Sequence, residues 1–130
     1  MSRIWQVHHR PLALIASGGL LILLSIPVPE HPLEDVQLLD KWTHFVLFCG
    51  LGWIYLNTAL RRSPTSLRRA LLGGWGAAVL MGLGSEGLQW LLPWRSGEWL
   101  DALANAIGAT LALATFLFFQ LRNPSPSTLS

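Results

Sequence analysis

Charge is what this chain has least of. Asp, Glu, Lys and Arg make up 12% of its 130 residues, while 52% are hydrophobic. Soluble domains carry about 25% charged residues. A soluble protein of this size must cover its surface with polar groups, and here there are too few. Lipid is the solvent that such a composition suits. Cysteine is nearly absent as well. Cys49 stands alone, so no internal disulfide can form, and redox compartment cannot be read from it. It sits in an apolar run and reads as an inert packing residue. Zinc-ligand spacings, a phosphate loop, a Ser-His-Asp pattern and a dinucleotide fingerprint are also missing. The length allows one domain.

What is present is a set of apolar runs. A spanning helix needs about 20 mostly apolar residues. Four segments approach that length: Pro11 to about Pro27, Lys41 to about Leu60, Leu67 to about Leu92, and Leu100 to about Leu121. Between them lie a polar loop over Val28 to Leu39, an Arg-rich turn from Arg61 to Arg69, and a short turn from Pro93 to Trp99. The expected fold is all-α, with four transmembrane helices packed as a small antiparallel bundle. One domain covers residues 1–122, and the Pro/Ser-rich tail 123–130 is expected to be disordered. The first run resembles a signal peptide, but Ser25-Ile26-Pro27-Val28-Pro29 lacks a small-x-small cleavage site, so retention is expected.

The distribution of charge checks the span count. With four spans, the N-terminus, the second connection and the C-terminus share one side. That side holds Arg3, Arg10, Arg61, Arg62, Arg68, Arg69 and Arg122, seven of the nine basic residues. All seven acids, Glu30, Glu34, Asp35, Asp40, Glu86, Glu98 and Asp101, fall on the other. Three or five spans would scramble this separation. The positive-inside rule places the basic side in the cytoplasm, with both termini. The expected location is the inner membrane of a bacterium. The Arg cluster reads as a topology signal with anionic-lipid contact, not as a nucleic-acid site. Trp42, Trp90, Trp94 and Trp99 fall near outer helix ends, and Trp5 and Trp75 near inner ends, as an aromatic belt would. Trp53 falls mid-helix and reads as packing.

Ionisable groups inside hydrocarbon are costly and usually functional. The second helix opens Asp40-Lys41-Trp42-Thr43-His44, the third carries Glu86 and Gln89, and the fourth opens at Asp101 and carries Asn105. Asp40 and His44, Glu86 and Gln89, and Asp101 and Asn105 are each three or four apart, so each pair shares a helix face. By helical rise, His44 lies ~6 Å inside Asp40, Asn105 ~6 Å inside Asp101, and Glu86 ~9 Å below Leu92. Three helices thus place polar groups in one layer near the outer surface. Gly74, Ala78, Gly82 and Glu86 form a small-residue ladder, matched by Asn105, Gly108, Ala109 and Ala112. Packing these two faces together would aim Glu86 at Asp101 and Asn105. Arg95 is expected to fold back over Glu86 or Asp101.

Plainer roles compete for the same residues. Asp40 and Asp101 are placed as helix N-caps. Lys41 is long enough to snorkel. Glu86 has no such plain role, since a buried carboxylate needs a partner or a proton. Glu30, His31, Glu34, Asp35 and Glu98 read as solvated loop residues, and His8 and His9 as inner-interface residues.

These motifs resemble a known family. Asp40-Lys41-x-x-His44-Phe45, then Glu86-x-x-Gln89, then Arg95-Ser96-Gly97-x-x-x-Asp101-x-x-x-Asn105-x-x-Gly108-Ala109 is similar to the VanZ-like membrane proteins of bacteria. The likeness runs from the second helix to the fourth. It implies a multi-pass membrane protein. The family takes its name from a member linked to resistance to glycopeptides, notably teicoplanin.

Three classes of function follow. The first is a site facing the cell envelope that binds or processes an anionic, lipid-linked ligand. Lys41, Arg95 and the helix N-termini would hold the anion, with Asp40, Gln89 and Asn105 lining the site. Glu86, Asp101 and His44 would be the acid/base groups. The second is a non-catalytic assembly module in which the same polar groups act as interhelical glue or hold a protein partner or a second copy. The third, a proton-coupled exporter, fits poorly, because coupling sites lie near the midplane. No cofactor is expected. Nor is a metal, because His44, Glu86 and Asp101 offer too few good ligands.

Overall fold

The computed structural model describes residues 9–27, 34–62 and 66–122. Among them lie four α-helices and no strand: α1 (His9–Ser25), α2 (Glu34–Arg62), α3 (Leu67–Leu91) and α4 (Trp99–Arg122). The tail 123–130, Arg3, Trp5, His8, Glu30 and His31 lie outside the described residues.

Local chemistry sets several helix ends. Ser66 caps α3, its hydroxyl accepting from the Arg69 N–H at 3.4 Å. At the other end Leu92 is extended, with ψ 124°. Pro93 follows it, and a proline bars the preceding residue from helical geometry. The α1 C-terminus leaves carbonyls without intrahelical partners. The Gln89 amide donates to the Leu24 carbonyl at 3.2 Å, and the Trp94 indole to the Ser25 carbonyl at 2.9 Å. The end of α1 is thereby tied to the end of α3.

One boundary differs from expectation. The second helix starts at Glu34, so the later half of the expected loop Val28–Leu39 is helical. Hydropathy finds the apolar run but misses a polar first turn. At 29 residues, α2 runs ~44 Å.

α2 is the central element. On one side Phe48 and Leu51 pack with Leu20 and Leu24 of α1. On another, Leu56 packs with Leu71 of α3 and with Ala112 and Phe116 of α4. The closest approach is between α2 and α4. A Cβ at Gly108 would strike the Phe45 carbonyl oxygen, and one at Gly52 would lie 3.0 Å from the Ala112 Cβ. Of the expected α4 face, Gly108, Ala109 and Ala112 therefore pack on α2, while Asn105 meets the α3 ladder at Gly82. The ladder itself is shared. A Cβ at Gly74 would lie 2.9 Å from the Leu56 Cα, while one at Gly82 would lie 2.8 Å from the Asn105 Cβ. The small faces are wide enough for three helices to converge, and α2, being longest, takes the middle.

Two stretches, Gln37–Arg61 of α2 and Trp99–Arg122 of α4, are long and apolar enough to cross a membrane. α1 has 17 residues. α3 has the length, but Arg68, Arg69, Glu86 and its glycines lower its hydropathy. Each of the four helices nevertheless exposes large apolar side chains. Leu14, Ile15, Leu80, Leu91 and Leu121 are each at least 70% exposed.

Candidate functional site

Several polar side chains are buried among the helices. His44, Gln89, Asp101 and Asn105 are at most 1% exposed and Glu86 is 5% exposed. Helical spacing puts Asp40 and His44 on one face of α2, and Asp101 and Asn105 on one face of α4. Gly82 clears the space in which Asn105 sits.

Asn105 is the hub. Its amide nitrogen donates to the Gly82 carbonyl at 3.3 Å and to Glu86 Oε1 at 3.4 Å. Both partners are acceptors, which fixes the orientation of the amide. Its Oδ1 then faces His44 Nδ1 at 3.0 Å. An amide oxygen cannot donate, so Nδ1 must carry the hydrogen. In neutral His44 the lone pair is therefore on Nε2. Glu86 Oε1 also lies 3.4 Å from His44 Nδ1. His44, Glu86 and Asn105 form one inner trio from three helices.

A second, outer layer holds the charges. Lys41 bonds Glu98 at 2.8 Å and stands 3.5 Å from Asp101 Oδ1. Arg95 stands 3.7 Å from Asp40 Oδ1. These pairings revise several expectations. Arg95 meets Asp40 and not Glu86 or Asp101, because the extended α2 carries Asp40 up to the Pro93–Glu98 turn. Asp40 is not an N-cap. It lies six residues inside α2, so the positive end of that helix is ~9 Å from it. Asp101 lies in the first turn of α4, two residues after its start. Glu98, read as a solvated loop residue, is the strongest partner of Lys41. Its position three residues before Asp101, on the same expected side as Lys41, is the signal that could have found it. Gln89 spends its amide nitrogen on α1.

Gly97 is explained by its neighbour. A side chain there would run into the indole ring of Trp90. Trp75 donates to the Thr110 hydroxyl at 3.1 Å. Trp53 lies edge-on to Phe116 and Phe119. Elsewhere, α1, α2 and α3 enclose a groove of about 600 Å³ beside Ser17, Tyr55, Thr58 and Arg69. Tyr55 is eleven residues, or ~17 Å, along α2 from His44, so the groove is separate from the polar layer.

The chain is similar to an uncharacterized protein of Schizosaccharomyces pombe. Identity is 31% over 104 residues, which cover 78% of this chain and 61% of that protein. The chain thus spans about three fifths of the length of that relative. No family model matches the chain, and no solved structure matches it.

Proposed function

We propose that this is a four-span membrane protein, VanZ-like in its polar motifs, whose buried layer near the outer surface takes an anionic, lipid-linked ligand. The observation that carries the reading is the state of Arg95. Its side chain is 9% exposed. Its Nε is buried without a hydrogen bond to any described residue. Arginine offers five donors in a planar fork suited to phosphate and carboxylate. One ion pair at 3.7 Å leaves most of that capacity unused. The first turn of α4 follows Arg95 closely in the chain, and a helix start favours negative charge. Glu86, His44 and Asp101, behind Arg95, are the acid/base candidates. The exposed apolar side chains of all four helices and the one-sided distribution of arginines support the four spans and the cytoplasmic termini.

The test is to purify the protein from native membranes in mild detergent and identify co-purifying lipids by native mass spectrometry. A phosphorylated lipid should travel with the wild type and be lost from Arg95→Gln, without loss of the folded species. The same lipids on both proteins would sink the reading.

A second reading, a non-catalytic assembly module, is favoured by one observation. The bonds of Asn105, His44 and Gln89 run between helices. Glu86→Gln separates the two. A folded variant that has lost the lipid favours the ligand site, and a misassembled one favours the module.

A further inference from the structure

One oxygen each from Asp40 and Asp101 and one ring nitrogen of His44 lie within 4.8 Å of one another. Two carboxylates and an imidazole in such a group do not by themselves make a site. The second observation is His44. It is completely buried, and Nε2 has no hydrogen-bond partner among the described residues. Asn105 has taken Nδ1, so Nε2 presents a lone pair. Asp101 Oδ1 is likewise buried without a hydrogen bond from a described residue. Two buried acceptors without a hydrogen bond call for a partner, either a donor or a cation.

The basic neighbours do not meet that need. Lys41 gives its short bond to Glu98 and stays 3.5 Å from Asp101. Arg95 stays 3.7 Å from Asp40. Charge-assisted bonds are about 2.7–2.9 Å. The layer holds four carboxyl groups, Asp40, Glu86, Glu98 and Asp101, against the two basic side chains of Lys41 and Arg95.

We propose that His44 Nε2, Asp101 and Asp40 bind one first-row divalent metal ion, of which zinc(II) is the type. The imidazole selects against magnesium and calcium. The bond from Nδ1 to Asn105, itself tied to Glu86, is the outer-shell support that fixes the ring and its tautomer in metal sites. Zinc ligands stand about 2.0–2.2 Å from the ion, so the two carboxylates must turn toward the imidazole to close the set. Three protein ligands leave a coordination position open, as in reactive rather than structural sites. The Asp40 side chain is 34% exposed and marks the way in. The site replaces Glu86 of the expected set with Asp40. It stands on these side chains alone and does not depend on the anionic ligand.

The test is a cobalt(II) titration of the full chain, stripped by chelator in detergent. The wild type should develop visible d–d absorption that saturates at one equivalent, and zinc(II) should abolish it. His44→Gln and Asp101→Asn should each weaken binding at least tenfold, and Asn105→Ala about tenfold or more through loss of support. Lys41→Met removes a competing cation and should tighten binding about tenfold, a gain that misfolding cannot produce. A wild type with no cobalt(II) spectrum would overturn the proposal. So would a His44→Gln protein that binds as tightly as the wild type, or a Lys41→Met protein that binds no tighter.

Discussion

Asn105 joins three helices through one side chain, while Glu98 holds Lys41 at the edge. The two should therefore differ sharply in their effect on stability. Asn105→Ala strips partners from His44 Nδ1, Glu86 Oε1 and the Gly82 carbonyl at once. An orphaned buried polar group costs about 1–3 kcal/mol, and the loss is expected within that range. Glu98→Gln breaks a shorter bond, but the Glu98 side chain is 41% exposed. Solvent screening limits such a pair to at most about 1 kcal/mol. Unfolding of the two variants by SDS titration in mixed micelles should rank them in that order. A larger loss in Glu98→Gln would mean that the outer ion pairs hold the bundle together. The inner trio was partly legible in the sequence, because i, i+4 spacing marks faces. Its pairing was not, because spacing along one helix says nothing about rotation against the next.

At the scale of elements, the α2 and α4 contact depends on missing side chains. Gly108→Ala would put a methyl group against the Phe45 carbonyl oxygen and near the Cys49 nitrogen at 3.0 Å. Backbone atoms inside a helix cannot rotate away, so the helices must part. Overpacking of this kind costs about 1–3 kcal/mol. Gly50 is the control, since nothing lies within 4 Å of a Cβ there. Gly50→Ala should be neutral or stabilising, by up to about 1 kcal/mol from helix propensity. Thermal unfolding in detergent should separate the two, and equal melting temperatures would contradict the close crossing. The small-residue ladders were visible in the sequence as packing faces. Which face met which was not, because α3 and α4 present similar stripes and α2 has Gly52 of its own.

For the whole molecule, the proposed four-span arrangement turns on which side of the membrane each connection occupies. Both termini and the Arg61–Arg69 turn are expected in the cytoplasm, on the warrant of the segregated charges. Thr65→Cys in a Cys49→Ala background tests this. A thiol reagent that cannot cross the membrane should label position 65 in opened cells and not in intact ones. Labelling from outside would reverse the orientation and move the polar layer to the cytoplasmic face.

The sequence by itself determined four helices among the described residues, the breaks between α2 and α3 and between α3 and α4, and a polar layer drawn from three helices. Those properties depend on composition and on neighbours within a few residues, where helical geometry is set in advance. Only the tertiary structure decided that Arg95 meets Asp40 and that Glu98 holds Lys41. It also brought Asp40, beside Glu86, into the surroundings of His44. The reason is physical. Each of these outcomes depends on the rotation and offset of one helix against another, set by where Gly52, Gly74, Gly82 and Gly108 let backbones approach. No distance along the chain contains that information.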